Sequence, residues 1–174
     1  LDPLVMRGMP KPITAATGMD ALTHAVEAYT NRWPLAETPP HCLAAVRMIF
    51  ANLVRTYQDG DDLEAREGMA VASFYAGLAF TKAYVGYVHA FSHTIGGRYG
   101  VPHGLCNAIV LPYVLDFLKD APYAEARLAE LAVAIGAVMH EHPELGGEAR
   151  ELALPVAEHR HRTDDERRLP GRVG

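Results

Sequence analysis

Apolar residues recur at helical spacing along most of the chain, and no alternating run bounded by turns interrupts them. Between Ile13 and Thr30, Leu22, Val26 and Tyr29 share one face with Met19 beside them, which predicts one helix or two short ones meeting at Gly18. Pro34, Pro39 and Pro40 mark a loop over 31–40. The stripe of Leu43, Val46, Ile49, Leu53, Val54 and Tyr57 predicts a helix over 39–58. Gln58-Asp59-Gly60-Asp61 reads as a turn, with Gly60 just past the helix end. Asp61 or Asp62 can then cap a third helix over 62–82, rich in small residues such as Ala72, Ala76 and Ala79. The stretch 83–100 reads as one apolar helix ending at Gly96-Gly97, followed by a turn at Val101-Pro102-His103-Gly104. An apolar run over 105–118 is expected to break or kink at Pro112, and an alanine- and leucine-rich helix covers 122–139. Residues 1–10, rich in Pro and Gly, read as a loop. The pattern predicts an all-α fold, a bundle of five to seven helices.

The pattern changes near residue 142. The segment 143–174 ends in EHRHRTDDERRLPGRVG, dense in charge of both signs, and is expected to be a poorly ordered tail outside a helical unit over 1–142. Over the whole 174 residues the net charge is −5 and the two signs are mixed, which argues against a nucleic-acid partner. No stretch of 18 apolar residues occurs, which argues against a membrane span. The two cysteines, Cys42 and Cys106, are too few for a disulfide framework and point to a reducing, cytoplasmic compartment. The opening Leu-Asp-Pro-Leu lacks a Met and the basic start of a signal peptide, and reads as a fragment or a processed piece.

Nine histidines change the picture more than composition does. Asp20 and His24 are four residues apart in a helical pattern, so their side chains share a face one turn apart. His89 and His93 repeat that spacing on an apolar segment, and His103 follows in the Val-Pro-His-Gly turn. A carboxylate with imidazoles suits a divalent ion such as iron or zinc. The competing reading is that each histidine is a packed, hydrogen-bonded core residue. His89 weighs against it, because Val85, Tyr87, Val88, Ala90 and Phe91 around it make an unpaired ring costly. Glu27, three residues past His24, reads either as a support for such a site or as a salt bridge at the surface or core edge. Tyr87, Phe91 and Phe80 read as core packing, with a substrate pocket as the alternative.

ITAATGMDALTHAVEAYTNR together with GYVHAFSHTIGGRYGVPHGLCNAIVLPYVLDF resembles the iron-containing (group III) alcohol dehydrogenases. The resemblance runs over about residues 1–140 and fades beyond. It implies the helical, dehydroquinate synthase-like C-terminal domain of a two-domain enzyme, with the N-terminal dinucleotide-binding domain absent from this sequence. It also implies a metal held by Asp20, His24, His89 and His103, with His93 beside the nicotinamide and substrate as the catalytic and cofactor-binding residue. The activity implied is oxidation of an alcohol to an aldehyde or ketone by hydride transfer to NAD or NADP, with the metal as Lewis acid. The partners implied are a small alcohol or aldehyde, and a second copy or the missing N-terminal domain. No G-x-G-x-x-G occurs in the chain, so two further readings stand beside the enzyme: a non-enzymatic metal-binding helical remnant, and a metal-dependent hydrolase.

Overall fold

A computed structural model describes residues 1–32 and 35–141; the charged tail expected over 143–174 lies outside the described residues. Among them there are six α-helices and no strand: α1 (Lys11–Thr30), α2 (Thr38–Gln58), α3 (Leu63–Ala83), α4 (Tyr87–Tyr99), α5 (His103–Leu118) and α6 (Pro122–Glu141). None of these helices is long and apolar enough to cross a membrane.

Helix α1 is the central element and packs on α2, α3, α5 and α6, while α4 packs on α5. The core joins Leu22, Ala25, Val26 and Tyr29 of α1 to Val46 and Ile49 of α2 and to Ala72, Ala76 and Ala79 of α3. The small residues of α3 let the helix axes approach closely, and Gly18 serves the same purpose on α1. A Cβ at Gly18 would lie 2.3 Å from Leu53 Cδ1 of α2, so the glycine makes room and α1 runs through it unbroken. Cys42 and Cys106 are free and buried.

The structure departs from the sequence expectation in four places. The first ten residues contain a 3-10 turn, Pro3–Met6, opened by the Leu4 amide donating to Asp2 Oδ1 at 3.0 Å. The stretch 83–100 is not one helix. Helix α3 runs on to Ala83 and ends at Tyr84, whose φ of 64° is left-handed. Helix α4 then passes through Gly96-Gly97 and stops at Gly100, whose φ of 68° is the conformation that favours glycine as a helix terminator. Finally, α5 starts at His103 instead of 105 and continues through Pro112. That proline removes one backbone donor without breaking the helix, and Leu111 and Val114 on either side pack into the core.

Candidate metal centre

Three helices bring the predicted residues to one point. Asp20 lies in the middle of α1, His89 in the first turn of α4 and His103 at the first position of α5. Asp20 Oδ1, His89 Nε2 and His103 Nε2 are the convergent atoms, and one ligand atom from each residue lies within 4.8 Å of the others. Asp20 Oδ1 is 3.3 Å from His89 Nε2 and 3.2 Å from His103 Nε2. His24 stands alongside, outside that close trio. Its Nε2 is 3.6 Å from Asp20 Oδ1, and its ring stacks between Phe80 at 4.1 Å and His89 at 4.2 Å. Among the described residues the buried His24 Nδ1 has no hydrogen-bond partner, so the ring is placed by its stacking and by the approach of Nε2 to Asp20. His93 is exposed and stacks on His103 with ring centres 5.0 Å apart; its centre is 5.7 Å from that of His89.

The cluster is sealed on one side and open on the other. The His89 side chain is 1% exposed, against 30% for Asp20 and 38% for His103. Burial opposes the Asp20 charge, but hydrogen bonds with His24 and His89 and the proximity of His24 and His103 hold the carboxyl well below its usual range. Burial likewise opposes a charged His89, yet Asp20 and Glu27 on its two nitrogens push it up to about 9. His103 is lowered, by burial and by its histidine neighbours against the pull of Asp20.

Two residues complete the site. Asn107, one turn after His103 on α5, is fully buried. Its Nδ2 donates to Asp20 Oδ1 at 2.7 Å, and its Oδ1 accepts from the Ser92 hydroxyl of α4. The sequence reading missed it, although its i, i+4 relation to His103 is the spacing that singled out the histidines. Glu27 is neither at the surface nor paired with a lysine or arginine among the described residues. It is buried, and its carboxylate lies 2.5 Å from His89 Nδ1, the support reading being the one the geometry matches. Tyr87 and Phe91 are more than half exposed, contrary to the core reading, whereas Phe80 is half-buried against the core and His24.

The donor set fits a divalent cation. Three ring nitrogens and one amide crowd a single carboxylate oxygen, and imidazoles converging with a carboxylate are the donor mix that suits a divalent ion.

Residues 14–162 match the model of the Fe-containing alcohol dehydrogenase family, C-terminal. The chain is 42% identical to alcohol dehydrogenase 4 of Schizosaccharomyces pombe over 163 residues, which is 94% of this chain and 39% of that protein. It is 53% identical to 1,3-propanediol dehydrogenase of Citrobacter freundii over 130 residues, 74% of this chain and 34% of that protein. Its fold is similar to the crystal structure of sulfoacetaldehyde reductase from Bifidobacterium kashiwanohense in complex with NAD+, at a TM-score of 0.69 and 30% identity, covering 79% of this chain and 39% of the other. The chain thus spans well under half the length of the proteins it matches.

Proposed function

The chain belongs to the Fe-containing alcohol dehydrogenase family, and on that premise we propose that it is the metal-carrying part of an NAD(P)-dependent alcohol dehydrogenase. The reaction is oxidation of an alcohol to an aldehyde or ketone, with hydride passed to the nicotinamide ring. The observation that carries this reading is the convergence of Asp20 Oδ1, His89 Nε2 and His103 Nε2 from three helices.

In this proposal Asp20, His89 and His103 would hold a divalent ion, with His24 as the fourth ligand. The ion supplies positive charge that stabilises the negative charge an alcohol oxygen gains as it loses its proton. Asp20 cancels one unit of that charge, and neutral imidazoles leave the rest uncancelled. The buried wall at His89 keeps water from one side, and the exposed edge at His103 and His93 admits the substrate. His93 accepts the hydroxyl proton and releases it to solvent through its exposed ring. A bound nicotinamide cofactor would supply the hydride acceptor for the substrate carbon. No G-x-G-x-x-G occurs in these 174 residues, so we assign nucleotide binding to a dinucleotide-binding domain outside them. The NAD+ in the similar reductase structure supports a nicotinamide cofactor; the family name supports iron, and the ligand set also suits zinc. A cytoplasmic location belongs to the same proposal, supported by two buried, unpaired cysteines.

Metal analysis of the purified chain by mass spectrometry, beside an Asp20→Ala, His89→Ala double variant, tests the reading. About one iron or zinc per chain, lost in the double variant, is expected for a mononuclear site. No metal in either protein overturns it and leaves a helical remnant that carries the ligands without the function.

A further inference from the structure

A buried carboxylate needs partners, and Glu27 finds them in an uncommon place. It lies on α1 two turns past Asp20 and is 6% exposed. Three N–H groups converge on it. The Gly86 amide donates to Oε2 at 2.9 Å, the Val88 amide donates to Oε1 at 2.6 Å, and His89 Nδ1 is 2.5 Å from Oε2. The two amides belong to the start of α4, whose own N-cap residue, Gly86, has no side chain to cap it. Glu27 therefore caps α4 from another helix. Capping alone would need only the amides; the third donor is the ring of a candidate ligand.

We propose that Glu27 is a positioning residue for the metal centre, holding the His89 ring so that Nε2 faces Asp20 and His103. The proposal rests on the metal reading above and deepens it. An ionised carboxylate can only accept, so the bond to Glu27 keeps a hydrogen on Nδ1 and makes Nε2 the nitrogen that would give up its proton to the ion. Without Glu27, a half-turn of the ring that interchanges its two edges and takes Nε2 away from Asp20 no longer costs the bond to Nδ1. Gly86 keeps the arrangement open: a Cβ there would lie 2.8 Å from Glu27 Oε1 and displace the carboxylate. One carboxylate thus sets both the start of α4 and the aim of the histidine in its first turn.

The test uses zinc as the probe, on the full 174-residue chain. In Glu27→Gln one acceptor becomes an amide donor facing three donors. Its zinc dissociation constant, read by competition with a chromogenic chelator, is expected to rise by about 10–100-fold. In the zinc-loaded wild type, the His89 Nδ1–H gives a slowly exchanging proton resonance by NMR with labelled histidine; in Glu27→Gln it shifts or exchanges away. Glu27→Asp keeps the charge one methylene short and recovers part of the affinity. If Glu27→Gln lacks a cooperative thermal transition, Glu27→Asp carries the test, and affinity equal to wild type overturns the proposal. A folded Glu27→Gln that binds zinc as tightly as wild type overturns it too, as does weakened binding with the Nδ1–H resonance unmoved; in each case the metal reading stands. A wild-type chain that takes no zinc removes both.

Discussion

Gly104 tests whether the close approach of α5 to α1 builds the site. It follows His103 directly, and an ideal Cβ on it would lie 1.9 Å from the Ala16 carbonyl oxygen, 2.5 Å from the Ala16 carbonyl carbon and 2.8 Å from its Cα. All three atoms are main chain, so no rotamer change relieves the clash. Real Cβ contacts essentially never fall below 3.0 Å, so in Gly104→Ala the start of α5 must retreat from α1 by about 1 Å. Overpacking costs about 1–3 kcal/mol, and a rigid backbone neighbour puts this site at the upper end. Alanine's helix preference returns about 1 kcal/mol. The net is a loss of about 2 kcal/mol, a fall of roughly 4–8 °C in Tm for a chain of this size. The same retreat carries His103 Nε2 away from Asp20 Oδ1, now 3.2 Å apart, so zinc affinity falls with stability. Gly97→Ala is the control, since a Cβ there meets nothing within 4 Å and the helix preference acts alone. Thermal unfolding followed by circular dichroism, with chelator competition for zinc, reads both effects. A Gly104→Ala protein that melts at or above wild type and binds zinc unchanged refutes the reasoning.

Asn107→Leu removes the donor to the half-buried Asp20 carboxylate and leaves the Ser92 hydroxyl with the Val88 carbonyl as acceptor; a loss of about 1–3 kcal/mol in urea unfolding is expected, chiefly from Asp20. Cys42 and Cys106 are both buried, and burial pushes the Cys42 thiol up to about 12, so neither reacts with a thiol reagent in the native chain, while both react in guanidinium. Tyr29 is raised to about 12, by burial first and then by its hydrogen bond to Glu130. The folded state keeps that proton after the unfolded chain loses it near pH 10, so the Tyr29 contribution is complete below pH 10 and is lost as pH rises toward 12. Urea midpoints measured from pH 9 to 12 should fall more steeply for wild type than for Tyr29→Phe, and equal slopes would exclude the linkage.

The helices were legible because their apolar spacing is regular, and the breaks were not, because they depend on contacts between helices. In AYVGYVHAF the one weak local signal is Gly86; α3 ends at Tyr84 with φ of 64°, and the new start of α4 depends on Glu27 of α1, which takes the amides of Gly86 and Val88. Pro112 shows the converse: a residue that can break a helix lies inside α5 without breaking it, with Leu111 and Val114 in the core on either side.

The site shows the same division. Asp20, His24, His89, His93 and His103 stand out because ligand chemistry is unusual in an apolar helix, and the family resemblance is what singles out four of them as ligands. Glu27 and Asn107 could not be ranked by chemistry, since a lone glutamate or asparagine on a helix is most often solvated. Their spacing held the signal: Asp20, His24 and Glu27 stand at i, i+4 and i+7 on α1, and His103 and Asn107 at i and i+4 on α5. A polar residue that continues a ligand's own face into the buried side of a helix cannot reach water, so it must find a partner on the neighbouring helix. In a site assembled from several helices that partner is another ligand, or a group that orients one. Glu27 meets His89, and Asn107 meets Asp20, each across a helix boundary. On the proposed reading, the polar stripe therefore points, from sequence, to the residues that would aim the ligands as well as to the ligands themselves, provided the stripe is followed past the last histidine.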